Sequence, residues 1–249
     1  MASTAKVYLV GAGPGDSDLL TREALRLLQQ AEVVIYDRLV SAEILSLANP
    51  NAILIYAGKD QGEQQRVQTA IFSSILHYAR RVSTIVRLKS GDPMVFGRGG
   101  EEVEFLSTHG LECEIVPGIS SAVAAPSLAG IPITYRGVAA SFAIVAGHRE
   151  SVTTVDWSGY RAIDTLLILM GVEHRDVIAG SLIAAGRVPD EPVAFIERAS
   201  TESERVVETT LEAVAKRRVE VSAPAVMVIG QVVRLRCKRS LRASEELAA

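Results

Sequence analysis

Short apolar runs that alternate with helical patterns constrain this chain more than any other feature. Val7-Tyr8-Leu9-Val10, Val33-Val34-Ile35-Tyr36, Ile53-Leu54-Ile55-Tyr56, Ile85-Val86 and Glu114-Ile115-Val116 read as strands. Between them Leu20, Ala24, Leu27, Leu28 and Ala31 sit at helical spacing, and so do Val67, Ile71, Ile75 and Ala79. Strands buried on both faces read as continuous apolar runs, and their alternation with helices predicts a parallel sheet. Pro117-Gly118 punctuates the chain, and Ile119 to Ala129 reads as a helix rich in small residues. Past Gly130-Ile131-Pro132 the rhythm changes. Phe142 to Val145, Leu166 to Leu169, Val193 to Ile196 and Ala225 to Ile229 read as strands separated by longer segments. The expected fold class is α/β with two α/β domains: a parallel-sheet N-terminal domain over residues 1–118 and a mixed-sheet C-terminal domain over 119–240. Residues 241–249 are expected to form a disordered tail, with the active site in the cleft between the domains.

The length of 249 residues suits one large or two medium domains, and 48% hydrophobic with 22% charged residues fits a globular α/β protein. A net charge of -3 and a pI near 5.9 provide no global basic field for nucleic acid, so any polyanionic substrate needs a local cluster of arginines. Cys113 and Cys237 stand far apart without a CxxC, which argues against both disulfides and zinc. Met1 to Lys6 carries no separate apolar signal segment, and the apolar run Leu166 to Met170 is too short to cross a bilayer. The expectation is a cytoplasmic protein without membrane, nucleic-acid or metal partners.

Two loops carry chemistry. Gly11-Ala12-Gly13-Pro14-Gly15 follows the first strand and by itself serves equally a structural turn or a ligand contact. It is not the dinucleotide fingerprint, because Asp16 stands where the last glycine belongs and Pro14 removes an N–H donor. That argues against a dinucleotide-dependent oxidoreductase. The second loop, Arg87-Leu88-Lys89-Ser90-Gly91-Asp92-Pro93-Met94-Val95-Phe96-Gly97-Arg98-Gly99-Gly100-Glu101-Glu102, places four glycines and a proline between a strand and a helix. Glycines let backbone groups approach a ligand, and open α/β sheets bind ligands beyond the carboxyl ends of their strands.

Together these loops resemble those of the tetrapyrrole methylases that use S-adenosylmethionine (SAM). The run Val95 to Glu102 looks most like the uroporphyrinogen-III C-methyltransferases, with relatives acting on other precorrins as the alternative. Further matches are Val116 to Ala122, Gly130 to Arg136, Ala146-Gly147-His148, Leu169-Met170-Gly171 and Pro224-Ala225. Departures are Ser90 for glycine, Tyr135 for histidine, Ser120 for threonine and Phe72 for asparagine.

The resemblance implies conversion of uroporphyrinogen III to precorrin-2 by methylation at C2 and C7. It also implies SAM as methyl donor, S-adenosyl-L-homocysteine as product, no metal, and a homodimer. By residue, it implies Asp37 and Lys59 as proton acceptor and donor, with Asp37 open equally to substrate positioning. Arg38, Arg98 and Arg136 match positions facing the substrate carboxylates, with Glu101 beside them and His148 as a further substrate contact. A planar guanidinium suits that role because it holds carboxylates bidentately. Arg98 has a plainer alternative, a salt bridge to Glu101 or Glu102 that shapes the turn. Pro14, Ser90, Gly91, Asp92, Val95, Ser120, Ser121, Met170, Ala199 and Ala225 match the cofactor pocket, with close backbone approach expected at Gly91. His77, His109 and His174 show no metal spacing and read as partly exposed helix or helix-flanking residues.

Overall fold

A computed structural model describes residues 5–58, 64–147 and 155–237. The chain divides into two compact units, Met1–Ser121 and Ala122–Ala249. The first holds β1 (Lys6–Gly11), α1 (Arg22–Gln30), β2 (Val33–Tyr36), α2 (Ala42–Ser46), β3 (Ile53–Tyr56), α3 (Gln64–Tyr78), β4 (Thr84–Lys89), α4 (Gly99–Thr108) and β5 (Cys113–Val116). Its sheet has the order β3-β2-β4-β1-β5, and every pairing is parallel.

Alternation along the strands sorts the residues onto two faces. Val10, Val34, Val86 and Leu88 pack with Leu27 and Leu28 of α1 and Ile44 of α2. Val7, Ile35 and Ile85 pack on the other face with Ile71 and Ile75 of α3 and Leu106 of α4. Local signals set the helix starts: Thr21 caps α1 by accepting from Ala24 N–H, and Ser41 caps α2 by accepting from Ile44 N–H. The Ser41 hydroxyl also donates to Gly15 O at 2.9 Å, which ties the first glycine loop to α2. Phe72 stacks on Phe105 with ring centroids 3.7 Å apart, joining α3 to α4.

The expectation of strands buried on both faces fails at β3. This strand lies at the sheet edge, with Ile53, Leu54 and Tyr56 exposed and Ile55 alone packed against the core.

α5 (Ser121–Leu128) starts on the last residue of the first unit, and the rest of it belongs to the second, with β6 (Phe142–Ala146), β7 (Thr165–Leu169), α6 (Arg175–Ala184), β8 (Pro192–Glu197), β9 (Arg205–Thr210), α7 (Leu211–Ala215) and β10 (Ala225–Ile229). Its sheet is mixed, with order β6-β7-β10-β8-β9 and β10 antiparallel to both neighbours. One face packs Ile168, Phe195 and Met227 against Ile178 and Leu182 of α6 and Val214 of α7. The other packs Leu167, Ile196 and Val228 against Ala125 of α5 and Val232. Past β10 the chain stays attached as far as it is described. Cys237 N–H donates to Gly130 O at 2.9 Å, and Arg236 reaches Ala129 O and Glu208. The expected tail at 241–249 lies outside the described residues.

Candidate active site

Because the first sheet is parallel, the loops after β1, β2, β4 and β5 share one sheet edge. β1 and β4 are neighbours, and their glycine loops join directly. Gly13 N–H donates to Gly91 O at 3.1 Å, and Gly91 N–H donates to Gly13 O at 2.7 Å. The loop after β5 packs on the same point. A Cβ on Gly11 would lie 2.5 Å from Gly118 N and 2.7 Å from Gly91 O, so these backbones touch with no room for a side chain. Asp92 closes the arrangement, its Oδ1 accepting from Met94 N–H at 2.8 Å and its Oδ2 from Gly118 N–H at 3.0 Å.

Pro14, Ser90, Gly91, Asp92, Val95 and Ser120 therefore gather in adjacent loops at one edge, with Ser121 at the start of α5 beside them. Inside the protein, the tight approach falls at Gly11 and Gly118. At Gly91 a Cβ would meet Ser120 Cα at an ordinary 3.7 Å, and the position instead demands glycine through its φ of 69°.

The turn into α4 is closed on Pro93. Gly99 N–H donates to Pro93 O at 3.0 Å, and a Cβ on Gly97 would lie 2.6 Å from that oxygen. Arg98 occupies the N-cap with a left-handed φ of 58° and forks onto Glu101, Nε to Oε1 at 3.0 Å and Nη2 to Oε2 at 2.6 Å. Both side chains remain partly exposed. Of the two partners open in the sequence, Glu101 is the one engaged.

Glu102 points elsewhere, into a buried charge cluster that the sequence reading missed. It accepts from Lys89 Nζ at 2.7 Å and pairs with Arg87 Nε at 3.3 Å. Arg87 Nη2 donates to Asp37 Oδ1 at 2.5 Å, and Lys89 Nζ lies 3.8 Å from Asp37 Oδ2. Burial, together with the charge of Arg87, pushes the Lys89 ammonium below its ordinary value, against the opposing pull of Glu102 and Asp37. A signal was available in the sequence: Ile85, Arg87 and Lys89 alternate with Val86 and Leu88, which puts both cations on the α3 and α4 face. Arg38 is exposed next to Asp37. Lys59 and His148 lie outside the described residues.

In the second sheet β7 ends at Leu169 and β8 at Glu197, and the antiparallel β10 starts opposite them, Ala225 pairing with Glu197. Met170, Ala199 and Ala225 thus collect at one edge of that sheet. Met170 has a φ of 56° and is 53% exposed. The parallel β6 brings Gly147 to the same edge, where its N–H donates to Leu169 O at 2.7 Å.

Beneath this edge Glu197 is fully buried. It takes a fork from Arg205 at 2.9 and 2.7 Å and the Ser222 N–H at 2.7 Å. The Arg205 guanidinium, aided by Ser222, holds the Glu197 carboxyl down to about 2. Arg136 is exposed in the turn that Tyr135 and Ala139 close by pairing. Among the described residues no three His, Cys, Asp or Glu side chains are grouped to hold a metal ion, and no helix is long and apolar enough to cross a membrane.

The family model for tetrapyrrole (corrin/porphyrin) methylases matches residues 6–215. A siroheme synthase from Pseudomonas fluorescens is 43% identical over 242 residues, 96% of this chain and 52% of that protein. The chain spans about half the length of the curated relatives it matches. Among solved structures, uroporphyrin-III C-methyl transferase from Thermus thermophilus, complexed with S-adenyl homocysteine, is 49% identical. The match covers 93% of this chain and 100% of that one at a TM-score of 0.83. The cobalamin biosynthetic enzyme cobalt precorrin-4 methyltransferase is 27% identical, covering 92% of this chain and 95% of that one at a TM-score of 0.80.

Proposed function

This chain belongs to the tetrapyrrole (corrin/porphyrin) methylase family, and from that premise we propose that it methylates uroporphyrinogen III at C2 and C7, giving precorrin-2. The observation that carries the reading is the exchange of hydrogen bonds between Gly13 and Gly91, which joins the two motif loops at the ends of β1 and β4. The likeness to the Thermus thermophilus enzyme over its whole length supports the choice of substrate.

SAM, when bound, supplies a methyl group already activated on a sulfonium sulfur. The residues present fit such a ligand: small side chains and backbone groups crowd both sheet edges, several at positive φ. In the first unit the proposed contacts are Pro14, Ser90, Gly91, Asp92, Val95, Ser120 and Ser121, held in register by the Asp92 bonds to Met94 and Gly118. In the second they are Met170, Ala199 and Ala225, supported by Glu197.

Methyl transfer to a pyrrole carbon needs no covalent nucleophile. It needs alignment, which can lower a barrier by up to about 7–11 kcal/mol, together with a proton acceptor. Asp37 is the proposed acceptor, with Lys59 assisting. Arg38, Arg98 and Arg136 are the proposed carboxylate contacts, with Glu101 orienting Arg98 and His148 a further substrate contact. Precorrin-2 precedes both sirohaem and cobalamin, so the proposed step lies before those routes diverge. We read the working form as a cytoplasmic homodimer, as the family resemblance implies. Incubation with methyl-labelled SAM tests the proposal: label should move to uroporphyrinogen III, and recovery of unlabelled tetrapyrrole would remove it.

A further inference from the structure

Asp37 does not stand alone at the end of β2. Each of its carboxylate oxygens faces a different cation of β4: Oδ1 meets Arg87 Nη2 at 2.5 Å, and Oδ2 faces Lys89 Nζ at 3.8 Å. Behind them Glu102 takes Lys89 at 2.7 Å and Arg87 at 3.3 Å. Of the four side chains Asp37 alone reaches solvent, 30% exposed against 2% for Arg87, 5% for Lys89 and 1% for Glu102. Gln68 of α3 also faces the cluster, its Nε2 3.5 Å from Glu102 Oε1. Cys113 of β5 senses it too, its thiol pushed up to about 11 by burial and by the charge of Glu102.

The fold gives no reason for this cluster. Buried ion pairs contribute little net stability beside apolar residues of similar volume, because desolvation offsets their attraction. Arg87 and Lys89 continue the row begun by Ile85 on a face otherwise filled by Val7, Ile35, Ile71 and Leu106. Apolar side chains there would simply extend that core. Two buried cations and one buried anion instead leave one positive charge over, and that excess is directed at Asp37.

We propose that Lys89, Arg87 and Glu102 form a buried positioning unit that fixes the Asp37 carboxylate as an ionised proton acceptor and sets the pH range over which it works. The proposal rests on the reading of Asp37 as the base. With Asp37 ionised the four charges cancel. When Asp37 takes the proton released from the methylated ring, the cluster carries a net positive charge beside a buried face. That imbalance returns the proton from Asp37 to solvent through its exposed side and restores the base for the second methyl transfer. Lys89 and Glu102 act through Asp37 and touch no reacting atom.

The two buried partners of opposite sign make the proposal testable. The probe is the carboxylate carbon of Asp37 in protein labelled with carbon-13 aspartate, assigned by its loss in Asp37→Asn. Its pH midpoint should rise by about one pH unit in Lys89→Gln, which removes a nearby cation, and fall by a similar amount in Glu102→Gln. The Lys89→Gln/Glu102→Gln double variant, neutral again as a set, should return it toward the wild-type position. The acid limb of the kcat profile should follow in the same directions, with SAM affinity unchanged. A midpoint that stays put in folded Lys89→Gln, or moves the same way in both single variants, overturns the proposal. Should one single variant not fold, the other and the double variant still decide it. Turnover of Asp37→Asn tests the underlying reading separately: wild-type rates there would remove Asp37 as the base, whatever the carbon midpoint does.

Discussion

Gly13 and Gly91 hold each other in place, exchanging N–H···O bonds of 3.1 and 2.7 Å with φ angles of 71° and 69°. Two loops 78 positions apart in sequence thereby become one surface at the edge of the first sheet.

Gly91→Val should weaken SAM binding while the sheet persists. The left-handed backbone costs an L-residue about 1–2 kcal/mol, and a β-branched side chain more. Gly11→Ala should behave differently, lowering the thermal midpoint first, because its Cβ would press on Gly118 N and Gly91 O. Calorimetric titration with SAM beside thermal unfolding separates the two. Unchanged SAM affinity in folded Gly91→Val would remove the loop from the cofactor site.

Arg98→Lys should change stability by less than about 1 kcal/mol, because the Arg98–Glu101 pair is partly exposed and such pairs contribute little. Turnover should nevertheless fall at least about tenfold, close to 1.4 kcal/mol in the barrier, since an ammonium cannot reproduce the fork. SAM affinity should hold. Wild-type kinetics in Arg98→Lys would leave the arginine as a shaper of its turn and nothing more.

Glu197 gives the second unit a defined acid sensitivity. Arg205 and Ser222 hold its carboxyl at about 2 in the fold against an ordinary 4.5. A depressed carboxylate stabilises the fold above pH 4.5, and that contribution fades as pH falls toward 2. Denaturant midpoints measured across this window should fall steeply in the wild type and less steeply in Glu197→Gln. Equal slopes would show that the buried fork does not govern acid unfolding.

The strand positions were largely legible because apolar runs mark buried strands. β2 and β10 begin and end at the residues the sequence indicates, Val33–Tyr36 and Ala225–Ile229. β9 escaped notice because Arg205-Val206-Val207-Glu208-Thr209-Thr210 is an edge strand with polar residues along much of its length. The candidate loops were legible through their glycines, and the fold brings those of the first unit to a single edge. What stayed hidden was pairing across the fold. Nothing in the sequence near Glu102 shows that it turns from Arg98 to Lys89, because that choice depends on how α4 packs on β4.

The most direct test is the mass and carbon-13 NMR spectrum of the tetrapyrrole after anaerobic incubation with the protein, SAM labelled with carbon-13 in its methyl group and enzymatically generated uroporphyrinogen III, without added metal. A species with one added methyl should form first and give way to one with two, at C2 and C7. A reaction that stops at one methyl, places methyl groups elsewhere on the ring, or proceeds only when a divalent ion is supplied would contradict it.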